Sequence, residues 1–240
     1  MKTLFASLMI LIMFPFSHYG QTAEEILDTY IENTGGQEAW DNLQAINIKG
    51  WVMEDNMKIP VDMYRTRNGK MAVIIELQGD VVPFAGFDGE NYWEMNFYSM
   101  FPEKAAQETS DNMKLEANDF PYAMVNYRKN NYTVNYLGKE TKEGAETYKV
   151  QLTQEPTTVN GVETPNDSYI YFETENYIPI VIETPQPNGQ NLTNILSDYQ
   201  EVEGLYFPYS FYSFGRKINV DEVILNPDID SSMFEFPGED

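Results

Sequence analysis

The sequence predicts a mainly β fold: one large antiparallel sheet, open or curled, with a helix ahead of it and a helical insertion midway. Three observations carry this. Aromatic residues make up 14% of the 240, with 17 Tyr and 14 Phe, and such side chains fit a pleated, half-buried surface. Turn signals containing Gly, Asn or Asp recur about every 10 to 15 residues, the rhythm of successive antiparallel strands. Helical periodicity, by contrast, is confined to two segments.

The first helix follows Thr22-Ala23-Glu24-Glu25, a capping box with Thr22 at the N-cap and Glu25 reaching back. Ile26, Leu27, Tyr30 and Ile31 recur at helical spacing until Gly35-Gly36 stops the helix. A second short turn, Gln37 to Leu43, carries Ala39, Trp40 and Leu43 on its apolar side. Strands are expected over Ala45 to Glu54 and Met57 to Thr66. The Asn68-Gly69 hairpin signal then leads to Met71 to Leu77. Val81 to Phe87 is expected as an apolar loop able to act as rim or gate, and Asn91 to Met100 as a further strand.

From Pro102 to Tyr127 alternation is lost, and two or three short helices are expected. The candidate segments are Glu103 to Ala106, Asp111 to Ala117, and Asp119 to Val125, the last starting at Asp119-Phe120-Pro121-Tyr122. These helices are candidates for a lid, with Phe120 and Tyr122 available to a cavity. Strands return over Tyr132–Leu137, Thr147–Gln154, Asp167–Thr174, Tyr177–Thr184, Leu192–Glu201, Leu205–Phe214 and Lys217–Leu225. Met233 to Pro237 forms a terminal apolar plug.

Ahead of this domain, Met1-Lys2-Thr3, an apolar run from Leu4 to Phe16 and a polar exit through Gly20 have the layout of a cleavable signal peptide. The run is short for a span, which needs roughly 20 apolar residues. Residues 1–20 are thus expected to be removed, leaving a soluble, exported domain over 21–240.

Composition narrows the chemistry. There is no Cys, and the single His, His18, lies in the signal. Ser-His-Asp triads, thiol nucleophiles and His- or Cys-ligated zinc are therefore closed to the mature chain. The net charge is −23, one unit more negative once Lys2 leaves, and a field of that sign opposes nucleic acid and anionic membranes. No cofactor or metal is called for. Asp228, Asp230 and Ser232 have a calcium-like spacing without the Gly and distant Glu of an EF-hand, and read as a capped turn. The sequons at Asn131, Asn166 and Asn191 would matter in a eukaryotic secretory route. A carboxylate hydrolase drawing on Glu76, Asp88, Glu94 and Asp198 is the weakest of three readings, because nothing in the sequence brings two of them together.

Ala23 to Gly36 at the start, Tyr199-Gln200-Glu201-Val202-Glu203-Gly204-Leu205-Tyr206-Phe207-Pro208, and the closing Asn226-Pro227-Asp228-Ile229-Asp230-Ser231-Ser232-Met233-Phe234 carry a resemblance. The chain resembles the Bacteroidetes-type exported proteins related to the LolA/LolB lipoprotein-carrier fold, over essentially the whole mature sequence. The resemblance implies a curved antiparallel sheet shaped as an unclosed barrel, with helices over its open side. It also implies acyl chains held on the concave face, a periplasmic location, and exchange there with a protein delivery partner. Without a Cys to lipidate, the chain is more similar to the soluble carrier than to the anchored one.

Alternation nominates the apolar ligand-facing residues. Trp51 and Met53 form one same-side pair, and Ile59, Val61 and Met63 another set. Val73, Ile75 and Leu77 follow, then Trp93, Met95 and Phe97, then Ile178, Ile180 and Ile182, with Phe84 on the rim. The expected ligand-binding set is Trp51, Met53, Met63, Ile75, Leu77, Phe84, Trp93, Met95, Phe97, Ile180 and Ile182. A non-catalytic sensor or interaction domain, its sheet filled by its own side chains, is the alternative reading of the same pattern.

Overall fold

A computed structural model describes residues 20–213 and 215–238; the expected signal segment before Gly20, with His18, lies outside the described residues. Helix α1 (Ala23–Asn33) forms as the capping box requires: Glu25 N–H donates to Thr22 Oγ1, and Thr22 N–H to the Glu25 carboxylate, both at 3.1 Å. Its apolar stripe of Ile26, Leu27, Tyr30 and Ile31 is buried. A six-residue helix α2 (Gln37–Asn42) follows and buries Trp40.

Fourteen strands follow among the described residues. The first three, β1 (Ala45–Glu54), β2 (Met57–Thr66) and β3 (Met71–Leu77), match the expected ranges. The apolar stretch read as a loop is instead strand β4 (Asp80–Phe87), paired with β3 through a bulge beside Val73. Pro83 fits there because the bulge interrupts the ladder, relieving the missing N–H. The strand expected over Asn91–Met100 stops early as β5 (Tyr92–Asn96). Asn96 Oδ1 accepts from Tyr98 N–H and turns the chain. Glu103 and Lys104, read as helical, pair with β5 in β6 (Phe101–Lys104); a strand partner overrides their helix propensity.

Helix α3 (Gln107–Ala117) and the short α4 (Ala123–Asn126) make up the insertion, with Phe120-Pro121, joined by a cis peptide, as the link between them rather than a helix start. Next come β7 (Thr133–Lys142), β8 (Ala145–Val159), β9 (Val162–Glu173) and β10 (Pro179–Pro185). Their neighbours in sequence are β11 (Asn191–Ile195), β12 (Ser197–Val202), β13 (Leu205–Ser213) and β14 (Arg216–Leu225). A 3-10 turn over Ser231–Phe234 closes the fold, and Asp230 Oδ1 caps it by accepting from Ser232 N–H.

The sheet orders are β12-β13-β14-β1-β2-β3-β4-β5-β6 and β11-β10-β9-β8-β7, all antiparallel. One expected strand supplies both β11 and β12, parted only by Leu196, whose N–H donates to Ile180 O at 2.9 Å. The two sheets thus continue one another. Bulges in the β1–β14, β3–β4, β7–β8, β8–β9 and β9–β10 ladders bend the strands. Strands β6 and β7 are edges, each paired on one side only among the described residues. This is the mainly β, unclosed, curved sheet the sequence predicts.

Two apolar clusters line the inner face. In the first, α1, Trp40 and α4 pack on Val150, Leu152, Ile170, Phe172, Phe207 and Val223. The second gathers Val52, Val61, Val73, Ala85, Phe87, Tyr92 and Ile218, with Met113 and Ala117 of α3 laid against it.

Candidate functional site

A cavity of about 420 Å³ lies between the second cluster and α3, within the usual 300–1,000 Å³ of small-molecule sites. Its floor comes from β2 and β3, where the register sets Met63 opposite Val73 and Arg65 opposite Met71. Their side chains share one face, because alternate residues of a strand point the same way. Tyr92 of β5 forms a wall, Met113, Glu116 and Ala117 of α3 the roof, and Phe120 one end. Ala117 approaches the β2–β3 turn so closely that a Cβ at Gly69, where φ is +86°, would sit 2.7 Å from its own Cβ. Only glycine fits there.

The roof is held at its edges by polar contacts. Glu108 accepts from Asn160 N–H at 2.8 Å and Gly161 N–H at 2.7 Å. The Asn112 side chain accepts from Thr158 N–H at 3.0 Å and donates to Thr158 O at 2.7 Å. Both partners sit at the β8–β9 hairpin tip. Ser110 is the one buried residue of α3, and its hydroxyl accepts from Tyr92 N–H.

Charge at the cavity is unevenly satisfied. Arg65 donates to Pro121 O at 3.1 Å, and its guanidinium lies 5.9 Å from the Phe120 ring centre. Arg67 approaches that ring to 5.4 Å and donates to Leu43 O and Trp40 O, closing the carbonyl end of α2. Buried Asp119 accepts from Tyr132 Oη, Gln154 Nε2 and Asn130 Nδ2. Burial still raises its pKa, with the three hydrogen bonds and Arg65 opposing. Glu116 is exposed at the mouth of the cavity, where protein atoms beside its carboxyl still bury it in part. That burial raises its pKa, Arg65 opposes the rise, and Asp119 adds to it. Among the described residues the Glu116 carboxylate has no hydrogen-bond or ion-pair partner.

The expected ligand-facing residues divide by position. Met63 lines the cavity. Ile75 shares its face and packs on the second cluster, as does Phe84, and Leu77 continues the same side of β3. Ile182 packs on the first cluster instead. Ile180 falls at the β9–β10 bulge, so the Ile178–Ile180–Ile182 alternation is broken. Trp51 and Met53 alternate with inward Val52 and therefore lie on the outer face. There Lys58 stacks on Trp51 at 4.7 Å, and Met53 is 50% exposed.

Trp93 and Met95 likewise alternate with inward Tyr92. Trp93 donates to Phe234 O at 3.3 Å and meets the Phe236 ring edge-on, beneath the C-terminal turn. A Cβ at Gly86 would come within 2.5 Å of its ring. Phe97 is in the β5–β6 turn, 70% exposed, its ring 5.7 Å from that of Phe84. Alternation groups these residues correctly but does not say which face is concave.

The acidic residues weighed for hydrolysis are not brought together. Asp88 caps its own turn, Glu94 accepts from Tyr92 Oη, and Asp198 accepts from Gln200. Sequence reasoning missed Arg65, Met113, Glu116 and Ala117. The signals were present: Arg65 alternates with Met63, and Met113 and Ala117 are spaced i, i+4 on α3. A larger surface groove of about 590 Å³ runs over α1, α2 and the end of α4, among Asp28, Glu32, Asp41, Arg128 and Lys129. Arg128 pairs there with Asp28, beside the apolar side chains of Ile31 and Val125.

No protein-family model and no curated protein sequence matches the chain. Solved structures do. A LolA superfamily protein of Nitrosomonas europaea aligns at a TM-score of 0.53 and 15% identity, over 90% of this chain and 98% of that one. A DUF1329 family protein of Desulfovibrio piger aligns at 0.48 and 10% identity, over 89% and 97%. A domain named as an outer-membrane lipoprotein-sorting protein of Vibrio parahaemolyticus aligns at 0.48 and 11%, over 88% and 97%. At such identity the likeness is one of architecture, and that architecture is the one built above from the sequence: the chain has a LolA/LolB-like fold.

Proposed function

We propose that this chain is an exported, soluble periplasmic carrier that holds an apolar ligand, a lipid or the acyl chains of a lipoprotein, on the concave face of its sheet. The observation that carries this is the cavity of about 420 Å³ between an apolar sheet face and a helix fastened mainly by polar contacts. Acyl burial is stabilised by about 0.8 kcal/mol per CH₂ removed from water. Exchange needs α3 to lift, which breaks a few hydrogen bonds rather than a packed core. Met63 would meet such a ligand within the cavity, and Ile75, Leu77 and Phe84 would extend the same apolar face beyond it. No described helix is long and apolar enough to cross a membrane, and no metal or cofactor enters this mechanism.

Native mass spectrometry of gently purified protein should reveal a co-purifying lipid, or the delipidated protein should take up a fatty-acyl analogue. Neither being seen would overturn the proposal. A second reading, a non-catalytic sensor or interaction domain, is favoured by one observation: α1 and α4 already fill part of the inner face. An experimental structure in which α3 seals the remaining space would support it.

A further inference from the structure

We propose that the cavity selects a single-chain amphiphile whose uncharged or cationic head donates hydrogen bonds to Glu116. This rests on the carrier reading above and deepens it.

Size is the first argument. A cavity of about 420 Å³ is at the lower end of the 300–1,000 Å³ range for small-molecule sites, which suits one alkyl chain better than several packed together.

Polarity is the second. Glu116 offers an acceptor-only carboxylate to an apolar space of Met63, Met71, Val73 and Met113, and no described residue donates to it. Its polar neighbours are engaged elsewhere. Tyr92 Oη donates to Glu94, Asp119 accepts three hydrogen bonds, and Arg65 donates to Pro121 O while lying over Phe120. Lys70, also on the lining, has its ammonium 5.8 Å from the Phe234 ring centre. A donor head would complete this carboxylate, and covering it unpaired beneath an alkyl chain is costly.

Charge is the third. An anionic head would sit beside the Glu116 carboxylate, with Asp119 behind it, inside a protein of net charge −23. A neutral head meets no such repulsion, and a cationic head is drawn to the carboxylate within a strongly acidic protein, with Arg65 and Lys70 of the lining opposing it.

The test is displacement of the uncharged dye N-phenylnaphthylamine from delipidated protein at neutral pH. Its competitors are dodecanol, dodecylamine, laurate and dilauroyl phosphatidylcholine. Dodecanol and dodecylamine should each compete about tenfold better than laurate, the size of one charge-assisted hydrogen bond gained or one like-charge contact avoided. The two-chain lipid should compete poorly. Glu116→Gln, which keeps an acceptor oxygen, should retain dodecanol and lose the advantage of dodecylamine. Glu116→Leu should abolish discrimination between heads.

Equal competition by all three heads in the wild type, or discrimination that survives Glu116→Leu, would overturn the inference and leave the carrier reading standing. Strong competition by the two-chain lipid would overturn the single-chain assignment. Failure of the dye and every alkyl compound to bind would instead remove the carrier reading itself.

Discussion

The inner face of the sheet is covered by two helices of equal length, eleven residues each, and they cover it in opposite ways. Helix α1 presents Ile26, Leu27, Tyr30 and Ile31 as one stripe and sinks them into a cluster with Phe172, Leu152 and Phe207. Helix α3 buries only Ser110 and is tied to the β8–β9 hairpin by Glu108 and Asn112. Apolar burial gives the first half a permanent wall, because exposing it forfeits roughly 25 cal/mol for each Å². Hydrogen bonds at an exposed edge give the second half a removable one, since water replaces them at a net cost of about 1 kcal/mol each. Phe120 stands where the halves meet, packed in the first cluster and lining the cavity of the second.

The comparison breaks if both halves carry stability equally. Trp40, fully buried and edge-on to Tyr122 and Phe207, belongs to the sealed half. Trp40→Ala should cost about 3–5 kcal/mol by urea unfolding, as for other large-to-small core changes. Ligand affinity per folded molecule should change little. Met113→Ala, facing a space already open, should do the reverse, weakening ligand with little loss of stability. Equal destabilisation by the two would show that α3 is as much core as α1.

A smaller effect tests the fastening directly. Glu108→Ala combined with Asn112→Ala removes four hydrogen bonds between α3 and the hairpin tip. Amide exchange should accelerate over residues 107–117 while protection in β8, β9 and α1 stays at wild-type level. Global stability should fall by about 2–4 kcal/mol, because water replaces each exposed hydrogen bond at a net cost of about 1 kcal/mol or less. Loss of protection across the whole sheet would refute the division into halves.

What was legible in the sequence follows the same division. The capping box, the α1 stripe and most strands could be read because each is local: spacing, turn residues and alternation suffice. Strand β4 could not, since Pro83 and Gly86 argue against a strand unless the β3 bulge and the space needed by Trp93 are known. Strand β6 exists only through its partner β5. The site suffered most. Trp93 and Met95 alternate as faithfully as Met63 and Val61, but the C-terminal turn, far away in sequence, covers their side. Periodicity groups residues by face, and only the topology tells which face curves inward.

The smallest effects differ in sign between the halves. On the outer side of α1, hydrogen bonding to Arg128 holds the Asp28 carboxyl below its ordinary 3.8, against partial burial, with Tyr127 Oη helping. A carboxylate lowered in the folded state stabilises the fold above its unfolded value, and the contribution disappears as pH falls through the folded value. Arg128→Gln should therefore destabilise at neutral pH, by at most about 1 kcal/mol for so exposed a pair, and by nothing in strong acid. Under α3 the sign reverses. Burial raises Glu116 above its ordinary 4.5, so its ionisation opposes folding increasingly as pH climbs from the unfolded value through the folded one. Glu116→Gln should stabilise the ligand-free protein at neutral pH, and the gain should fade below about pH 4 as the wild-type carboxyl is protonated in both states. Urea unfolding of both variants from neutral to acid pH should then give two difference curves of opposite sign, each flattening in acid. Curves of the same sign would mean that Glu116 is solvated like a surface carboxylate.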